Sequence, residues 1–221
     1  MNNQVLFKPN SIIMATSNCS EITSTEYKVY DTVLQKCQVY QGYGFKKAQL
    51  GKDEVKSIVK NKNDLTVKGI CDIFEKFRNI TMRFKIGTKY ITSSAISEYS
   101  YDESNDMFSV YISDNVFNML MDYAQIGYSP IDLKLVRKAK SYYTQKIYGM
   151  LRMWSRYNET VFHTYKLTEI KDICDIVEGS CYDQYKIFKR DILKKSLKEI
   201  QNKLNMKAEI VKENRVSRKV A

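Results

Sequence analysis

Apolar and polar positions along this chain change period several times, and the changes outline its elements. A short apolar stretch, Ile12-Ile13-Met14, comes first. Thr23-Ser24-Thr25-Glu26 then offers N-caps ahead of an acidic first turn. Tyr27, Val29, Tyr30, Val33, Leu34 and Cys37 follow at helical spacing and predict a helix over 24–38. A second helix starts at Asp53, with Val55, Ile58 and Val59 as its apolar side. A third starts near Thr66 and carries Val67, Ile70, Cys71, Ile73, Phe74 and Phe77. The period then falls to two: Ile80, Met82, Phe84 and Ile86 alternate with Thr81, Arg83 and Lys85, which predicts a strand. Gly87-Thr88-Lys89 is a turn, 90–101 a second extended stretch, and 102–106 a polar hairpin loop before Phe108, Val110 and Ile112 alternate again. Three helices followed by a β-hairpin is the order of a winged helix.

Gly127-Tyr128-Ser129-Pro130 is the best internal boundary in a chain with two prolines. It divides a first domain, 9–126, from a second, 131–221. The second repeats the order without visible sequence repetition. A long helix is expected from Asp132 to about Ser155, a shorter one over 167–177, and a third over 183–203 after Gly179-Ser180. Residues 207–211 read as a strand and Glu213-Asn214 as a turn, and the chain stops at Ala221, barely into the expected returning strand. The fold class is therefore α+β, with two tandem winged-helix domains.

The third helix of the second domain is the most informative segment. On a wheel of 100° per residue, Tyr185, Phe188, Ile192, Leu193, Ser196, Leu197 and Ile200 fall on one half. Lys186, Arg190, Lys194 and Lys198 step by four along the other, with Lys195 beside them and no acid at i±4 in that row. Lys189 falls in the apolar arc but in the first turns, where a recognition helix projects beyond its core. Such a helix fits the major groove, with its N-terminal residues at base edges. Lys186, Lys189 and Arg190 are the candidates for base edges, and Lys194, Lys195 and Lys198 for phosphates. Lys212, Arg215, Arg218 and Lys219 form a second basic cluster in the expected wing. The equivalent helix of the first domain, with Lys68, Asp72, Glu75 and Lys76, has a mixed face suited to solvent, with secondary DNA contact or dimerisation as the alternatives.

Charge supports this division. The chain carries +11 overall. Residues 1–130 hold 15 basic and 14 acidic side chains, whereas 131–221 hold 21 and 11. A polyanion is thus expected to meet the second half. An anionic membrane would need exposed bulky apolar residues beside the lysines, and the apolar half of this helix is needed for its own core. No apolar run is long enough to span a membrane, and Met1-Asn2-Asn3-Gln4 lacks the features of a secretory signal, so a cytoplasmic protein without membrane partners is expected.

Catalysis finds little support. The five cysteines are widely spaced, without a Cys-x-x-Cys, and read as reduced side chains behaving as small apolar residues. The one histidine, His163, lies in a polar loop and rules out a nicking centre built on a histidine pair. No Gly-x-x-x-x-Gly-Lys-Ser/Thr loop is present for ATP. Most of the seventeen tyrosines sit at core spacing without an activating base. No enzyme activity, cofactor or metal is expected, and a tyrosine strand-transferase is the enzymatic alternative.

Three segments resemble the iteron-binding replication initiator (Rep) proteins of theta-replicating plasmids. They are 8–15, Lys-Pro-Asn-Ser-Ile-Ile-Met-Ala, with the helix after it; 140–151, Lys-Ser-Tyr-Tyr-Thr-Gln-Lys-Ile-Tyr-Gly-Met-Leu; and the helix from Tyr185 through Phe188-Lys189-Arg190 and Leu193 to Lys198-Glu199-Ile200. The resemblance implies two winged-helix domains, the second reading repeated origin sites in double-stranded DNA. It also implies a monomer that initiates replication, a homodimer that represses or idles through the first domain, and a host replication initiator and helicase as partners. Gly149 departs from the family pattern and implies close packing or a bend, because glycine costs about 1 kcal/mol inside a helix. Ser217-Arg218-Lys219-Val220 replaces the family's Gly-Arg-Lys-Val wing. The competing function is a winged-helix transcriptional regulator with no part in replication.

Overall fold

The computed structural model describes residues 4–18, 22–38, 45–59, 65–155 and 159–211. Strand β1 (Val5–Pro9) runs into a helical turn, α1 (Asn10–Ile13), and a short strand, β2 (Thr16–Ser17). The first long helix, α2 (Ser24–Cys37), begins as its sequence requires. The Thr23 side chain accepts from the Glu26 backbone N–H, and Glu26 returns the bond to the Thr23 N–H. Strand β3 (Lys47–Gly51) leads into α3 (Lys52–Ile58), and Thr66 caps α4 (Val67–Asn79). The expected strand is β4 (Thr81–Ile86).

The extended stretch over 90–101 is two strands rather than one. β5 (Lys89–Ser94) pairs with β4, in a sheet ordered β2-β4-β5. β6 (Ile96–Asp102) pairs with β7 (Met107–Ile112), in a sheet ordered β3-β7-β6. The chain changes sheets at Ala95, which is fully buried. The second sheet with α2, α3 and α4 is the first winged helix, and the β6–β7 hairpin is its wing. The β4–β5 hairpin is an addition between recognition position and wing. Tyr30 stacks on Phe77 at 4.7 Å, and Phe74 meets Phe108 at 5.6 Å, which ties the helices to the sheet.

Two further helices, α5 (Asp114–Met121) and α6 (Tyr123–Ile126), carry the chain to Gly127 and strand β8 (Tyr128–Asp132). The expected boundary at 127–130 thus falls where β8 pairs antiparallel with β1, Phe7 opposite Pro130. Gly127 has φ +82°, a conformation that favours glycine, and its carbonyl accepts the Asn10 N–H at 2.9 Å.

The single long helix expected from Asp132 is broken. A turn of helix, α7 (Leu133–Val136), is followed by a gap and then α8 (Tyr142–Arg152). Tertiary partners take the backbone groups in the gap. The Ala139 carbonyl accepts from Lys28 Nζ at 2.5 Å and Ser24 Oγ at 3.3 Å, and the Lys140 N–H donates to Glu199 at 3.0 Å. Gly149 lets α8 lie against α1, because a Cβ there would stand 3.3 Å from Ile13 Cγ2. That is the close packing expected of it.

The second winged helix consists of α8, α9 (Leu167–Ile173) and a continuous helical run over 185–203. The run is α10 (Tyr185–Phe188), a π-helical turn (Lys189–Leu193) and α11 (Lys194–Lys203). No strand forms over 207–211, contrary to expectation. The turn expected at Glu213-Asn214 lies outside the described residues.

One buried ion pair lies within the first half of the chain, and a second, in the second half, is tied to the first by hydrogen bonds. Lys8 Nζ lies 2.5 Å from Asp31 and donates to Tyr27 Oη at 2.9 Å. Burial opposes the charge on Lys8, but Asp31 and Tyr27 outweigh it and raise the lysine above its ordinary range. Lys146 in α8 donates to the Ala15 carbonyl at 2.9 Å and lies 3.6 Å from Asp175, which also accepts from the Ser17 N–H and Tyr142 Oη, both at 2.5 Å.

Candidate nucleic-acid interface

The 185–203 run is anchored by its apolar side. Phe188, Ile192, Leu193, Ser196 and Ile200 are buried as the wheel requires, whereas Leu197 is half-buried and Tyr185, in the first turn, is exposed. Glu199 fixes the helix to the start of α8. It accepts from the Lys140 N–H at 3.0 Å, Thr144 Oγ1 at 2.8 Å and Lys203 Nζ at 2.6 Å. Burial pushes the Glu199 carboxyl up, but these donors prevail and hold it below the usual range. The opposite end is held by Lys171 in α9, whose ammonium meets Asp183 at 2.6 Å.

With one face so fixed, the other is presented to solvent. Lys186, Arg190, Lys194, Lys195 and Lys198 are all exposed on it. Lys189 is half-buried, its ammonium 5.9 Å from the Tyr185 ring centroid. Six of the helix's seven cations therefore lie between Lys186 and Lys198, three of them in the first two turns, and the seventh, Lys203, pairs with Glu199. Lys212, Arg215, Arg218 and Lys219 lie outside the described residues.

One acid on this face was not given a role by the sequence. Asp191 accepts from Arg190 Nε at 3.1 Å and Nη2 at 2.6 Å, and lies 2.9 Å from Lys195 Nζ. These bonds, Arg190's first, hold its carboxyl down to about 2. The expectation of a row without i±4 acids holds for Lys186, Arg190, Lys194 and Lys198, but Lys195 has Asp191 at that spacing. A helical wheel hides the Arg190 contact, since neighbours in sequence do not face each other on a regular α-helix.

The matching face of the first winged helix is different. On α4, Lys76 pairs with Glu26 at 3.1 Å and Arg78 with Glu75 at 2.8 Å. Two of its three cations are matched by acids, Lys68 near its start is exposed, and Arg83, Lys85 and Lys89 are exposed on the added β4–β5 hairpin. His163 is exposed and stacks on Trp154 at 3.9 Å, with Tyr165 edge-on at 4.4 Å. No helix among the described residues is long and apolar enough to cross a membrane.

Comparison with known proteins places this face in context. Residues 166–221 match the family model described as "Initiator Rep protein, WH2", a segment that takes in α9 and the whole 185–203 run. No curated protein sequence matches the chain. Among solved structures the chain is similar to one described as "Crystal structure of Pi initiator protein in complex with iteron DNA". The likeness has a TM-score of 0.61 over 92% of this chain and 88% of that one, at 14% identity. At that identity it speaks for the fold, two winged helices in tandem.

Proposed function

We propose, from the premise that residues 166–221 form the second winged-helix domain of an initiator Rep protein, that this chain binds repeated double-stranded sites in a plasmid origin and thereby initiates replication. The observation that carries the reading is the position of the basic helix face. It lies inside the matched segment, is fixed from behind by Glu199 and a packed apolar side, and faces solvent. Lys186, Lys189 and Arg190, in the first turns, reach base edges, with Arg190 suited to a guanine. Lys194, Lys195 and Lys198 meet phosphates and set the register. Lys212, Arg215, Arg218 and Lys219, further along the matched segment, add contacts to phosphates in this reading. Nothing in the segment match favours a regulator without a replication role. Binding and positioning, without bond-making chemistry, suffice for this activity.

In this reading the first domain, 9–126, supplies secondary DNA contact and a homodimer surface, and the second, 131–221, reads the DNA. Near-neutral charge over 1–130 supports self-association there, since two copies of the strongly basic second half would repel. Host initiator and helicase join the complex once it forms on DNA, in the cytoplasm. Footprinting on the DNA flanking its own gene tests the function. Protection of spaced direct repeats, whose deletion stops replication of a plasmid carrying them, is the expected result. Protection of a lone promoter site with replication unaffected would replace the initiator reading with a regulator.

A further inference from the structure

An acid on a helix face that meets a polyanion weakens attraction to phosphate, so electrostatics alone gives no reason for Asp191. Its geometry supplies one. The guanidinium of Arg190 is planar and carries five N–H donors in fixed directions. Asp191 takes the edge formed by Nε and Nη2. The edge formed by Nη1 and the second N–H of Nη2 stays open, and it offers two parallel donors at the spacing of guanine O6 and N7. Arg190 is 69% exposed and would sample many rotamers by itself, whereas Asp191 is 19% exposed and is held in turn by Lys195 one helical turn on. Arg190 and Asp191 also share the π turn, a distortion found often at functional sites.

We propose that Asp191 is a positioning residue for base reading: it fixes the Arg190 guanidinium with its outer edge presented to one guanine in the major groove. Lys195 completes the device by holding Asp191, which itself stays off the DNA. The proposal rests on the DNA-reading role given above to this helix.

The test uses the full chain and the duplex that the wild-type protein selects from a randomised library. Affinities are measured for that duplex, for single substitutions at each of its G·C pairs, and for a scrambled duplex. Asp191→Ala should lower discrimination at one G·C pair by about 5- to 150-fold. Arg190→Ala should lose discrimination at the same pair, and the double variant should lose no more than either alone. Affinity for the scrambled duplex should rise in Asp191→Ala, because a negative charge is gone, and a misfolded variant would not show that rise. Asp191→Glu should recover part of the discrimination. Asp191→Ala discriminating like wild type, or acting at a different pair from Arg190→Ala, or adding its loss to that of Arg190→Ala, would overturn the proposal while leaving the helix's DNA-reading role intact. A wild-type chain that selects no sequence would remove both.

Discussion

Lys146 reaches from the first helix of the second winged helix to the Ala15 carbonyl, 2.9 Å away, in the first. Both it and Asp175 beside it have side chains only 2% exposed. The motif at 8–15 and the helix Tyr142–Arg152 therefore meet in the interior, although more than a hundred residues separate them. Lys146→Met should leave Asp175 buried without its cation and the Ala15 carbonyl without its donor. Breaking a buried pair from one side costs about 3–5 kcal/mol. Denaturant unfolding should show a loss of that order. A variant as stable as wild type would mean the contact contributes nothing net.

The helices of the first domain were legible because their caps are written locally. Thr23 with Glu26 and Thr66 ahead of an apolar run mark the starts of α2 and α4. Strands β1 and β8 were not legible, since each is five residues long and its partner lies far along the chain. Pro130 reads as a boundary in sequence, yet it sits inside β8, which a two-stranded sheet allows because each strand has a free side. β3 offers only Ala48 and Leu50 as buried alternating positions, too little for a period. The basic face of the 185–203 helix was legible from spacing alone, whereas the Asp191–Arg190 bond depends on side-chain geometry that no period encodes. The break before α8 depends on Lys28 and Glu199, neither of them close in sequence.

Gly149 gives a second test of the packing between α1 and α8. A Cβ fits only 3.3 Å from Ile13, so Gly149→Ala gains helix propensity and loses part of it to the tight contact. Gly149→Leu should overpack the junction and destabilise by about 1–3 kcal/mol. Thermal unfolding of the two variants should therefore rank alanine near wild type and leucine well below it.

Thiol chemistry should follow burial. Burial pushes the Cys37 and Cys174 thiols up to about 12, whereas Cys181 is exposed. The thiolate is the nucleophile, so an aromatic disulfide reagent at pH 8 should modify Cys181 in the folded protein and spare Cys37 and Cys174 until unfolding. The same shift has a sign for stability. Above about pH 8.5, unfolded thiols lose protons that the folded state keeps, so stability should fall as pH rises from there towards 12. Peptide mapping after labelling and denaturation at pH 7 and pH 10 check both statements.

The two sets of cations on the 185–203 helix should separate in their salt dependence. Lys194→Ala with Lys198→Ala removes two exposed charges and should flatten the slope of log affinity against log salt by about 1–2, with sequence preference kept. Arg190→Ala should do the reverse, keeping most affinity for scrambled DNA and losing discrimination. Titrations over a salt series measure both. An unchanged slope in the double variant would place those lysines away from the DNA.

Self-association of the first domain should use a strand edge, but not the strands that alternation suggests. Residues 80–86 and 108–112 offer apolar alternation, yet β4 lies between β2 and β5, and β7 between β3 and β6. β7 is paired along both sides, and β4 is covered by β2 at Met82 and Arg83. β5 ends its sheet, and no described strand pairs with its outer side. Tyr90 and Thr92 are exposed along it. A second copy adding antiparallel at this edge would place the two chains about a two-fold axis, and such a dimer should prefer inverted repeats where a monomer takes direct ones. The fragment 1–130 would cut β8 and remove Ile131 and Asp132, the partners of Leu6 and Val5 in β1, so the full chain is the right object. Tyr90→Lys with Thr92→Lys puts like charges across any β5–β5 pairing and should weaken the dimer at least tenfold, about 1.4 kcal/mol, without unfolding it. Sedimentation equilibrium of wild type and variant decides the matter: a dimer of equal strength in both would exclude β5 as the interface.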